Sequence, residues 1–126
     1  MKPFLVIAAV LLHLGLTQPA NSQSSLPQCG GDDPTVYHNC VGSYVSEEGG
    51  RYVGEMQNGL ADGKGIYKWP NGDIYVGSFF KGTMHGHGKL RFFDGTVFKG
   101  EFSSNHFLGE SEKPKLASTD EFPKSM

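Results

Sequence analysis

Residues 52–109 repeat themselves with a period of 23, and few folds tolerate that constraint. Tyr52 to Gly72 reads Y-V-G-E-M-Q-N-G-L-A-D-G-K-G-I-Y-K-W-P-N-G. Displaced by one period, it returns from Tyr75 to Gly95 as Y-V-G-S-F-F-K-G-T-M-H-G-H-G-K-L-R-F-F-D-G. It opens a third time from Phe98 to Gly109 as F-K-G-E-F-S-S-N-H-F-L-G. Three glycine columns stand in register: Gly54, Gly77 and Gly100; Gly63, Gly86 and Gly109; Gly65 and Gly88. Tyr52, Tyr75 and Phe98 form an aromatic column, and Met56, Phe79 and Phe102 an apolar one. A unit this short cannot bury its apolar face alone, so stacked neighbours must supply the core.

The local pattern within the unit is alternation. Tyr52, Gly54 and Met56 point one way and Val53 and Glu55 the other; Gly65, Tyr67 and Trp69 oppose Ile66 and Lys68. Pro70-Asn71-Gly72 lies between two alternating runs, with equivalent turns at Phe93-Asp94-Gly95 and residues 47–50. Three hairpins are predicted, 41–46 with 51–56, 64–69 with 73–79 and 87–92 with 96–102, joined by Gly-rich loops near 57–63 and 80–86. The predicted fold class is all-β, a single elongated and twisted antiparallel sheet of repeated β-hairpins. The strand glycines leave room for an aromatic ring from an adjoining strand. Gly59, Gly63, Gly82 and Gly86 are expected at positive φ.

Y-V-G-E-M-x-x-G-x-x-D-G-K-G and Y-V-G-S-F-x-x-G-x-x-H-G-H-G resemble MORN (membrane occupation and recognition nexus) repeats. The likeness covers residues 42–109 and weakens in the third copy, where Asn105 and Ser111 replace glycines. It implies assembly and protein interaction, sometimes dimerisation, and links with membranes and phosphoinositides. A short exported chain with a Cys pair before such repeats also resembles envelope proteins of Gram-negative bacteria.

Four segments are expected: residues 1–22, 23–40, 41–110 and 111–126. Residues 1–22 read as a signal peptide, with Lys2, an apolar run from Phe4 to Leu16, and small residues at Ala20 and Ser22, either of which could precede the cut. An uncleaved membrane anchor is the competing reading. The mature chain is then exported, periplasmic or secreted. In that oxidising setting Cys29 and Cys40 are expected to form a structural disulfide. The bridged leader would cap the sheet in place of a missing half-repeat, since Gly42-Ser-Tyr44 precedes Gly65-Ile-Tyr67 by one period. The tail 111–126 is read as disordered, with Leu116 and Phe122 as anchors for a partner.

Charge and motif content narrow the function. Residues 41–110 hold Arg51, Lys64, Lys68, Lys81, Lys89, Arg91 and Lys99 against eight acidic residues, so counting finds no basic cluster and nothing that favours nucleic acid. His85, His87 and His106 invite a metal reading, but a zinc site requires further convergent donors. No catalytic triad order, P-loop or dinucleotide fingerprint is present. No enzyme activity, cofactor, metal or small-molecule substrate is therefore expected. The candidate binding face is Tyr52, Tyr67, Trp69, Tyr75, Phe79, Phe92, Phe98 and Phe102, with Tyr44 beside it; an opening is expected around Trp69 and Phe92. The expected partner is another protein or a second copy, engaging this face or an open edge strand near 96–102. Membrane lipid is the alternative.

Overall fold

The computed structural model describes residues 24–109. The signal peptide expected at 1–22 and the tail expected at 111–126 lie outside the described residues. Seven strands form one antiparallel sheet in sequence order: β1 (Cys40–Val45), β2 (Arg51–Gln57), β3 (Leu60–Lys68), β4 (Ile74–Phe80), β5 (Thr83–Arg91), β6 (Val97–Ser103) and β7 (His106–Phe107). The all-β single sheet follows the alternation of the sequence. The predicted Gly-rich loops do not form. β3 and β5 run through them, and the links shrink to two residues, Asn58-Gly59 and Lys81-Gly82. Both residues of each link have positive φ, 51° and 74° in the first and 46° and 82° in the second, the geometry of a type I′ turn. The third link, Ser104-Asn105, adopts the same geometry without a glycine.

One row of glycines crosses the sheet: Gly42, Gly54, Gly65, Gly77, Gly88 and Gly100 are cross-strand partners in turn. The Tyr52 ring lies along its own strand over Gly54 and Gly65, and Tyr75 covers Gly77 and Gly88 in the same way. A Cβ at Gly77 would stand 2.5 Å from the Gly88 Cα and 2.6 Å from the Tyr75 hydroxyl. Each hydroxyl then donates to the carbonyl three residues on, Tyr52 to Glu55 at 2.7 Å and Tyr75 to Ser78 at 3.0 Å. Glu55 and Ser78 are where the ladder to the next strand shifts register, so each tyrosine satisfies backbone at a bulge. Gly63 and Gly86 sit opposite these bulges at positive φ. Beyond β7, Gly109 lies against Phe107.

The single sheet is covered by its own rings. Tyr44 meets Tyr52, Tyr52 and Tyr75 both meet Phe79 edge-on, Tyr75 meets Phe102, and Phe102 leads through Phe107 and Phe98 to Phe92, all at centroid separations of 5.0–5.4 Å. Tyr52, Met56, Tyr75, Phe79, Met84 and Phe102 are buried along this line. Edge-to-face contact of this kind adds about 0.5–1.5 kcal/mol per pair beyond the area removed from water.

Successive hairpins are also fastened by a hydrogen bond that keeps the period. Gly82 N–H donates to the Ala61 carbonyl, Asn105 N–H to Met84, and Gly59 N–H to Tyr37. Tyr37 belongs to the leader, which thereby stands where an earlier hairpin would. Cys29 and Cys40 are disulfide-bonded, with Cα atoms 4.9 Å apart. Gln28 forms a parallel bridge to Val41, and a one-turn 3-10 helix, Pro34–Val36, packs Thr35 against Gly59. The leader is thus joined to the first hairpin by backbone bonds as well as by the bridge.

Candidate functional site

The twist of the sheet curls the aromatic face into a groove of about 380 Å³. Tyr44, Ser46, Tyr67 and Trp69 form one side, and Phe79, Gly82, Met84 and Asn105 the other. Tyr44 lies on β1 and Asn105 follows β6, so right-handed strand twist has brought distant parts of the sheet together. The walls are set by local packing. Trp69 stands edge-on to Tyr67 at 4.7 Å, immediately before the turn in which Gly72 N–H donates to the Trp69 carbonyl. The Tyr67 hydroxyl and Ser46 Oγ share a hydrogen bond of 2.9 Å, and Ser46 Oγ accepts from Gly50 N–H. A side chain at residue 50 would collide with the Tyr67 ring, so this glycine makes room for the wall. Opposite, Asn105 Oδ1 accepts from Met84 N–H at 2.9 Å. Burial, helped by Tyr67, pushes the Tyr44 phenol above its ordinary value, which keeps it a neutral donor. The groove offers apolar walls with hydroxyls at its rim. It suits an apolar side chain carried on a backbone that needs hydrogen bonds.

Sequence reasoning placed Tyr67, Trp69 and Phe79 on this face, and they line the groove. Tyr52 and Tyr75 are 0% exposed and Phe102 is 2% exposed; they form the floor that supports the site and leave no surface for contact. Phe92 and Phe98 pack edge-on to each other at 5.4 Å, away from the groove walls. Ser46 and Asn105 were missed as lining residues. Asn105 breaks the glycine pattern of the repeat, yet it takes the position of Gly59 and Gly82 and lines the groove.

The edge strand differs from expectation. β6 is followed by β7, which pairs Phe107 with Phe102 and His106 with Ser103, and Leu108 N–H donates to the Glu101 carbonyl. Among the described residues, only 97–100 of β6 lack a neighbour on that side. Phe107 covers this edge by packing on Phe98 and Phe102 at 5.1 Å each.

The other sheet face departs from the count of charges. Arg51, Lys68 and Arg91 share one row with Ile74, and Lys89 and Lys99 share the next with Val53, Ile66 and Val76. Lys64 lies beside them, opposite Ser78. The acids are elsewhere or engaged. Glu47, Glu48, Asp73 and Asp94 lie in turns between strands, Asp62 accepts from Lys81 N–H, Glu101 is 2.8 Å from His87, and Glu55 accepts from Lys64 N–H and Ser24. Six cations thus outnumber the acids Glu55 and Glu101 on this face, so a chain balanced in sequence carries excess positive charge there, because strand alternation repeats in step with the period. His85 packs beside Phe80 and His106 Nδ1 faces the Ser104 carbonyl. Among the described residues, no group of three or more His, Cys, Asp or Glu is placed to hold a metal ion.

A comparison with curated proteins finds no match. The family model of the MORN repeat matches residues 52–74 and 75–97, the two units whose tyrosines lie over paired glycines, so the chain carries two adjacent MORN repeats.

Proposed function

We propose that this is a non-enzymatic, exported interaction module whose aromatic groove takes an apolar segment of a protein partner. The observation that carries this reading is the groove between Tyr67-Trp69 and Phe79-Met84, open on a face where Tyr52, Tyr75 and Phe102 are buried. Tyr44, Ser46 and Tyr67 bring hydroxyl groups to its lining, those of Ser46 and Tyr67 already bonded to each other. The apolar walls supply affinity and the hydroxyls orientation. The Cys29–Cys40 bridge suits an oxidising compartment. Self-association through residues 97–100 remains part of the same class.

The test is crosslinking and mass spectrometry on tagged protein from its native compartment, beside a Trp69→Ala variant whose circular dichroism matches the parent. A protein crosslinked near Tyr67 or Asn105 in the parent and lost from the variant supports the groove. Equal recovery from both sinks it. A second reading, attachment to an anionic lipid surface, is favoured by the cationic face around Lys68 and Lys99. Vesicles containing anionic lipid, sedimented with parent and Lys68→Glu/Lys99→Glu protein, decide that reading separately.

A further inference from the structure

We infer that the chain's own C-terminal segment, through Phe122 and Leu116, is a resident occupant of the aromatic groove and competes there with any partner. The inference rests on the reading of the groove as a binding site. Four observations support it. First, the described chain turns at Asn105, which is itself a groove wall, and ends at Gly109 beside Gly100, so residue 110 begins four strand residues, about 13 Å, from that wall. Second, the reach is sufficient. Residues 110–115 span up to about 20 Å and residues 110–121 about 40 Å when extended, against roughly 15 Å across three strand spacings. Third, in the segment S-E-K-P-K-L-A-S-T-D-E-F-P-K-S-M the large apolar residues Leu116 and Phe122 are spaced singly among polar and charged ones, the pattern of single anchors. A groove of about 380 Å³ walled by Tyr67, Trp69 and Met84 has room for one such anchor. Fourth, Glu47 and Glu48 follow the groove residue Ser46, and Lys113 and Lys115 precede Leu116; Phe122 follows Asp120 and Glu121, so the charge match belongs to the Leu116 anchor. A tethered occupant needs little intrinsic affinity, since a short linker holds it at an effective concentration on the order of millimolar.

Trp69 is the single tryptophan of the chain and lines the groove, so its emission reports occupancy directly. Full-length protein is compared with full-length Leu116→Ala/Phe122→Ala, both checked for the same circular dichroism. The expected result is a red shift of Trp69 emission and about a twofold rise in acrylamide quenching in the variant, as the ring loses its cover. A synthetic peptide of residues 110–126 added to the variant should reverse both changes saturably, and a scrambled peptide should not. Identical emission and quenching in the two proteins overturns the inference. A shift in the parent that appears only on dilution also overturns it, because the occupant would then be the tail of a second copy. A tail effect without any Trp69-dependent crosslink would sink the partner reading alone; the reverse pattern would sink this inference alone.

Discussion

At the scale of the residue, the molecule depends on a tyrosine that has nowhere to go but over a glycine. Tyr75 fills the space above Gly77 and Gly88 and donates to Ser78. Gly77→Val puts three carbons into space already held by the Gly88 Cα and the Tyr75 hydroxyl. The expected cost is about 3 kcal/mol, read from urea unfolding; a neutral variant would mean that the ring does not lie there. The same contact sets a response to alkali. Burial, reinforced by Glu101, raises the Tyr75 phenol from its ordinary value of 10 to about 12. The neutral form is the one the fold holds, so this contribution is whole below pH 10 and fades as pH rises through about 12. Tyr75→Phe should therefore lose roughly 1 kcal/mol at neutral pH and show a flatter loss of melting temperature above pH 10. Parallel slopes for the two proteins would remove Tyr75 from the account. The glycine columns announced a close approach by a ring, but the ring was expected from an adjoining strand and comes, at Gly54 and Gly77, from the tyrosine two positions earlier on the same strand. What could not be read was the direction of the ring along its own strand, because that depends on which strand supplies the paired glycine.

Among the elements, the turns divide into two kinds, and the sequence exposed one kind better than the other. Pro70-Asn71-Gly72 carries its signal in three residues and forms as expected, with Trp69 N–H donating to the Asp73 carbonyl. Asn58-Gly59 carries as strong a signal for a two-residue hairpin, but glycines at 63 and 65 made the whole stretch resemble a loop. Those later glycines serve the bulge opposite Glu55 and the row beneath Tyr52, inside a strand. β7 was illegible for a different reason: two residues are too few to show a period. The leader is the element with the clearest energetic test. Its bridge closes a separation of 11 residues, worth about 3 kcal/mol by loop entropy and about 10–20 °C in melting temperature for a domain of this size. Cys29→Ser should show that drop while keeping the sheet's circular dichroism at low temperature. Unchanged melting would mean that the backbone bonds from Pro27, Cys29 and Tyr37 cap the array without help.

For the molecule as a whole, net charge misleads. The chain carries a formal charge of −2 at neutral pH, yet Arg51, Lys64, Lys68, Lys89, Arg91 and Lys99 share one face. The protein should be retained on a cation exchanger at low salt and pH 7, with Lys68→Glu/Lys99→Glu flowing through. Identical elution of the two would show that the face is not felt at a distance. The groove on the opposite face has its own whole-molecule consequence. Tyr44 and Asn105 reach it from opposite parts of a sheet whose hairpins are joined by bonds repeating every period. Neither the leader nor β7 refers to how many hairpins lie between them. Inserting one more copy of residues 52–74 would add two strands, and with them about 40–50° of accumulated rotation between the groove's walls. Copy number is thus an aperture setting: each added unit would turn Asn105 away from Tyr44 and change the width of ligand admitted, without altering a single residue that lines the opening.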